Sequence, residues 1–201
     1  MARPALDAQQ LAAMRRRLAD QALAIYRERG LAAVSFRRVA EAVGISHTLI
    51  YRYFPDKDAL LAQARAACFR DFETFVRARE AEDGGMTAHI HSVAQAYIDF
   101  AQQCPADYRL MFSTEQPPPD RYPQLLAARQ SLFEHTVALI DRYVQRGELR
   151  GDARLIAHAL WINLHGLMML HGAQQLVHGM TLAQLIDPII DRLLTSEERK
   201  P

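Results

Sequence analysis

The amino-acid sequence predicts an all-α protein: a small N-terminal three-helix domain containing a helix-turn-helix, then a larger helical domain, about nine helices in all. Three observations carry this. Apolar residues recur mainly at three- and four-residue steps, glycines and prolines fall between the resulting blocks, and long alternating β-branched runs are absent. With 201 residues, half of them apolar, the chain can bury a core of its own.

The first helix is expected from about Asp7 to Arg29, with Leu11, Leu18, Ala22, Ile25 and Tyr26 as its apolar stripe and Gly30 to end it. Ser35 is placed to cap Phe36 to Val43, Gly44 to stop that helix, and Ser46 to cap another from His47 to Tyr53. Pro55 closes this third helix, and Asp56 caps a fourth that reaches about Glu82. Beyond Gly84 and Gly85 come blocks at about Thr87 to Gln103, Ala106 to Ser113, Tyr122 to Arg146 and Asp152 to about His171, and a last helix from Leu182 to Leu194 before a charged tail. Pro117, Pro118 and Pro119 mark an exposed loop. The expected division is a head of residues 1–55 and a body of residues 56–201.

Net charge is only +1, so the bulk composition does not announce a nucleic-acid partner. Its distribution says more. Residues 1–60 carry ten Lys and Arg against six Asp and Glu, a balance of +4, and the remaining 141 carry fourteen against seventeen, a balance of −3. A basic head on an acidic body suits a DNA-binding module joined to a ligand or partner domain. Arg15, Arg16 and Arg17 read as a solvated helix face. No window is apolar enough for a bilayer span and Met1 to Gln10 lack a leader's apolar segment, so a cytoplasmic protein with no membrane partner is expected. Cys68 and Cys104 read as free thiols, too few for a disulfide scaffold.

The segment from Ser35 to Tyr53 carries the functional signal. Two short helices joined by a glycine turn cannot bury their own apolar faces, so Val39, Ala40, Val43, Ile45, Ile50 and Phe54 must lean on the flanking helices. His47, Thr48, Tyr51 and Arg52 are left facing outward. That is a helix-turn-helix, whose second helix enters the major groove of double-stranded DNA. Ser35, Ser46, Tyr51, Tyr53 and Lys57 are the phosphate candidates, Arg37, His47 and Thr48 the base candidates, and Leu49 offers an apolar contact to a thymine methyl.

The stretch SFRRVAEAVGISHTLIYRYFPDKDALL, Ser35 to Leu61, resembles the DNA-binding domain of the TetR family of transcriptional repressors, most specifically from Tyr51 to Lys57 and through Ala59, Leu60 and Leu61. The resemblance implies Tyr51 and Lys57 on phosphates and Arg37 and His47 at bases or nearby phosphates. Thr48 and Leu49 depart from the family's commoner small residue or proline followed by threonine. AYIDFAQQCPADYRLMF, Ala96 to Phe112, and ALWINLHGLMML, Ala159 to Leu170, resemble the C-terminal domain of a TetR subgroup with a Trp-His-Gly signature, here Trp161, His165 and Gly166.

This resemblance implies a homodimer on a palindromic operator, released by a small apolar or amphipathic effector. The expected effector-binding residues are Tyr97, Phe100, Met111, Phe112, Phe133, Trp161, His165 and Met168. Dimerisation is expected through the last two helices, with Leu167 and Leu185 at the interface. The rival reading is a helical ligand-binding enzyme, or an adaptor, with a vestigial helix-turn-helix. Ser92, Ser113 and Ser131 lack a nucleophile-elbow context and no glycine-rich phosphate loop occurs, so neither catalysis nor a cofactor is expected. Nor is a metal site: His89 with His91, His158 with His165 and His171 with His178 have no Cys, Asp or Glu at matching steps.

Overall fold

The computed structural model describes residues 7–118 and 120–196; Arg3, Pro119 and the charged tail after residue 196 lie outside them. Among the described residues there are nine α-helices and no strand: α1 Ala8–Arg29, α2 Phe36–Val43, α3 His47–Ile50, α4 Lys57–Arg77, α5 Gly85–Gln103, α6 Pro105–Met111, α7 Pro123–Gln145, α8 Ala153–Gly172 and α9 Leu182–Ser196. A 3-10 turn at Leu31–Ala33 joins α1 to α2. The helices pack as two compact units, one within Met1–Arg70 and Ala106–Arg129, the other within Asp71–Pro105 and Gln130–Pro201. Helices α4, α6 and α7 contribute residues to both.

In the first unit, α1 begins with a capping box: Asp7 accepts from the Gln10 amide at 2.7 Å while the Gln10 side chain accepts from the Asp7 amide. Its buried stripe, Leu18, Ala19, Ala22 and Leu23, meets the face of α2 made by Phe36, Val39, Ala40 and Val43. Leu11, Ile25 and Tyr26, expected in that stripe, are only half-buried. Ile50, Phe54 and Leu60 are fully buried, each side chain contributing about 1.5–3 kcal/mol through removal from water.

Polar contacts tie this unit across long sequence separations. Arg17 donates to the Val43 carbonyl at 3.1 Å, at the end of α2. Arg27 on α1 makes a two-pronged ion pair with the buried Asp107 on α6, at 2.7 and 2.6 Å. The buried Arg65 donates to the Leu110 and Glu115 carbonyls and the Ser113 hydroxyl, holding the chain after α6, and Arg129 donates to Gln116 nearby. Burial, with Arg129 as a second cation close by, lowers the Arg65 pKa.

The third helix is shorter than the sequence predicts, because its last turn tightens. Arg52 and Tyr53 donate to Leu49 and Ile50, three residues back, ahead of Pro55. Asp56 then caps α4 as expected, accepting from the Ala59 amide at 2.7 Å.

In the second unit, α8 packs against α5 and α9. Asp152 caps α8, accepting from the Arg154 and Leu155 amides. Helix α8 buries Ile156, Ala157, Leu160, Leu164, Leu167 and Met168, and α9 buries Leu182, Ile186, Ile190 and Leu194 at successive turns despite an internal Pro188. Helix α4 stops at Arg77 rather than near Glu82. The chain that follows turns Glu80 inward, where its carboxylate contacts His89 at 2.7 Å and His135 at 2.6 Å. Burial pushes the Glu80 pKa up, but hydrogen bonds from His135 and His89 outweigh this and hold it below the ordinary value.

Candidate nucleic-acid interface

The turn between α2 and α3 follows from one residue's freedom. Gly44 has φ 77° and ψ 32°, the left-handed region that a side chain disfavours. This lets the Gly44 amide donate to Glu41 at 3.1 Å and the Ile45 amide to Ala40 at 2.9 Å, closing α2 with two bonds that run back over its last turn. The chain leaves in a new direction. Ser46 restarts it, its hydroxyl accepting from the Leu49 amide at 3.3 Å and lying 3.2 Å from the Thr48 hydroxyl.

Inward packing of Ile50 and Phe54 fixes which side of α3 faces out. His47 and Thr48 are exposed, Leu49 is half-buried, and Tyr51 keeps 55% of its surface accessible. The Tyr51 ring is braced edge-on by Phe36 at 5.1 Å and His47 at 5.6 Å, which limits its rotamers and aims the hydroxyl outward. Arg37 is exposed on α2, and Ser46 is exposed in the turn. Ser35 is half-buried at the cap of α2, accepting from the Arg38 amide at 3.4 Å. Lys57 is also half-buried, and its ammonium donates to the Leu31 carbonyl at 3.3 Å, which holds it beside the 3-10 turn.

Tyr53 differs from its expected place on a phosphate. The tightened last turn swings its ring inward, leaving 7% exposed, so it packs the head. The remaining eight candidates belong to one short stretch of chain with hydroxyls, a guanidinium, an ammonium and an imidazole among them. Such a set can hold phosphates in register and reach base edges.

The expected effector residues divide between the units. In the second unit, Phe72 contacts Tyr97 and Phe100 with ring centroids 5.1 and 4.6 Å apart, and Tyr97 Oη lies 3.4 Å from His165 Nδ1. His165 stacks on Trp161 at 6.0 Å, and Trp161 meets Phe133 at 6.4 Å. Tyr97, Phe100, Phe133, Trp161 and His165 therefore form one run of ring contacts, while Met168 is buried on the same α8. Met111 and Phe112 belong to the first unit, where Phe112 packs on Phe69 and Tyr108. Burial lowers the His165 pKa. An open depression of about 540 Å³ lies elsewhere in the second unit, bordered by Glu134, Asp141, Asp152 and Arg154, and none of the eight lines it. No described helix is long and apolar enough to cross a membrane.

A three-helix head with a capped second helix and an outward polar face defines a helix-turn-helix DNA-binding protein. The model of bacterial regulatory proteins of the tetR family matches residues 18–64, and that of the tetracyclin repressor-like C-terminal domain matches residues 90–196. The second alone covers more than half of the chain. The protein belongs to the TetR family.

Nucleoid occlusion factor SlmA of Pasteurella multocida (strain Pm70) is 27% identical over 130 residues, 63% of this chain and 62% of that protein, so under two thirds of that relative's length is spanned. A Rhodococcus sp. RHA1 protein of unknown function has the same fold, with TM-score 0.78 and 24% identity over 92% of this chain and 95% of that one. The TetR family transcriptional regulator PfmR of Thermus thermophilus follows at TM-score 0.62 and 18% identity, covering 89% and 97%.

Proposed function

We propose that the chain is a homodimeric TetR-family repressor that binds a roughly palindromic operator and leaves it when a small apolar or amphipathic effector binds. In this reading the head of residues 1–55, joined by Lys57 at the start of α4, contacts DNA, and the rest of the body of residues 56–201 holds the effector and the dimer interface. The observation that carries the reading is the outward set on α2 and α3: Arg37, His47, Thr48 and Tyr51 stand exposed around a turn whose geometry is fixed by Gly44 and Ser46. Arg37, His47 and Thr48 read bases, Leu49 touches a thymine methyl, and Ser35, Ser46, Tyr51 and Lys57 hold phosphates. For Lys57 this means exchanging the Leu31 carbonyl for a phosphate oxygen.

A head with so small a charge excess binds weakly alone, so affinity comes from two copies in successive major grooves, about 34–36 Å apart. Support for the dimer is the apolar stripe left bare on α8: Leu155, Ile162, Met169 and Leu170 are 62%, 60%, 49% and 48% exposed and fall on one side of the helix. Leu167, which the sequence alone places at an interface, is only 5% exposed because it faces the protomer's own core, and Leu185 is half-buried. The ring run through Tyr97, His165, Trp161 and Phe133 is the part of the body suited to an amphipathic ligand. An effector releases DNA only by favouring a conformation with a different head separation, since equal affinity for both states shifts nothing.

The test is selection of bound sequences from random DNA, followed by binding measured against salt. A two-fold symmetric site is expected. Lys57→Ala should then weaken binding to all sequences and reduce the salt slope by about 0.9 per subunit, while Arg37→Ala should also relax base preference. Enrichment of no symmetric site, with both variants binding as the parent does, refutes the reading.

A further inference from the structure

The polar cluster after α4 is absorbed by neither the head nor the ring run. One donor atom from each of Glu80, Glu82 and His89 lies within 4.8 Å of the other two. His89 on α5 is 1% exposed, and its Nε2 is 2.7 Å from Glu80 Oε1 while its Nδ1 is 2.8 Å from the Tyr143 hydroxyl. The other Glu80 oxygen, Oε2, is 2.6 Å from His135 Nε2 on α7. Glu82 is 72% exposed, with Arg142 Nη1 3.8 Å from its carboxylate.

We propose that Glu80, Glu82 and His89 form a binding site for a divalent first-row transition ion such as Zn²⁺, a ligand separate from DNA and from any effector of the ring run. An imidazole nitrogen and two carboxylates are the hard-to-borderline donor set that such ions take. Ligands about 2.0–2.2 Å from a tetrahedral ion stand roughly 3.3 Å from one another, so the 2.7 Å contact widens slightly and the exposed Glu82 closes in. The surroundings are those of a ligand shell already oriented. Tyr143 engages the far nitrogen of His89, so that on metal binding Nδ1–H donates to that hydroxyl while Nε2 releases its proton to solvent, gives up its hydrogen bond to Glu80 and offers its lone pair to the ion. His135 holds the second oxygen of Glu80 and so aims the first.

The backbone is committed to the same arrangement. Helix α4 ends at Arg77, and the Ala81 amide donates to Ser92 on α5 at 2.9 Å, which presents Glu80 and Glu82 from either side of that anchor. The buried wall is supplied by His89 and the open wall by Glu82, giving the ion an entry path and leaving a coordination position for water. Bound metal would join the chain after α4 to α5.

The experiment uses the full chain stripped with a chelator and titrated with Zn²⁺ by calorimetry, with thermal unfolding followed in parallel. One ion per chain at micromolar or tighter affinity is expected, with a rise in Tm. Glu82→Gln should weaken binding at least tenfold and leave the Tm of the metal-free chain unchanged, because this side chain is exposed. Glu80→Gln and His89→Gln should abolish binding, and His171→Gln, at an exposed histidine far along the sequence, should leave it intact. The inference is overturned if Zn²⁺ does not bind stoichiometrically, or if it binds the Glu82 and Glu80 variants as it binds the parent. Because Glu82→Gln leaves the fold untouched, failure of His89→Gln to fold does not weaken the test.

Discussion

Replacing Gly44 with alanine isolates the cost of the backbone conformation on which the whole head depends. A Cβ added at Gly44 meets nothing within 4 Å, so collision contributes nothing and the penalty is the left-handed conformation alone. An L-residue there costs about 1–2 kcal/mol, and the lower entropy of the unfolded alanine chain offsets roughly 0.4–1 kcal/mol of this. The net expectation is a loss of about 1 kcal/mol, or about 2–4 °C in Tm for a chain of this size. Gly44→Asn should cost less, because asparagine tolerates that region, and Gly44→Val should cost more. Urea unfolding followed by circular dichroism gives the ranking, and anisotropy with labelled operator shows whether α3 keeps its pose. Alanine as stable as glycine, or asparagine worse than alanine, would refute the reasoning.

Asp152→Ala removes the acceptor for two amides at the start of α8 and should cost about 1 kcal/mol in urea unfolding, with Asp152→Ser recovering most of it. Ile162→Glu places a charge on the bare stripe of α8 and should yield a folded monomer with weak operator binding; an unchanged sedimentation coefficient argues against that interface. His165 has a pKa lowered by burial from the ordinary 6.5, so the unfolded chain takes up its proton first as pH falls. Its contribution is therefore intact above 6.5, declines below it and levels off beneath the folded pKa. The urea midpoint should drop less between about pH 7.5 and about pH 5 in His165→Gln than in the parent, and an equal drop in both refutes this.

Much of the fold was legible because its signals are local. Gly30, Ser35, Gly44, Ser46, Asp56 and Asp152 act on amides and carbonyls a few residues away, and each end they mark lies within two residues of where the helix starts or stops. The expected end of α3 overshoots the observed one by three residues and that of α4 by five. The last turn of α3 tightens ahead of Pro55 and carries Tyr53 into the core of the head, and beyond α4 the chain turns so that Glu80 reaches histidines on α5 and α7, a contact outside the local pattern.

The candidate DNA contacts were readable for a related reason. A helix of one turn that ends on the buried Ile50 and is followed by the buried Phe54 has little choice of outward face, so His47, Thr48 and Tyr51 follow from spacing. Leu167 shows the limit of that logic. On an apolar helix such as α8 the period alone does not say which side meets the protomer's own core, and the structure buries Leu167 while leaving Ile162 bare.

By itself, then, the sequence determined that the chain is helical, where most helices begin and end, and that its head is a helix-turn-helix with a hydroxyl-rich and cationic outer face. Those properties depend on hydrogen bonds and periodicities spanning a few residues. Tertiary structure alone decided that Arg27 pairs with Asp107, that Arg65 anchors the chain after α6, and that Glu80, His89, His135 and Tyr143 converge. These groups lie far apart along the chain, and no short-range pattern records a contact created only when separate helices pack.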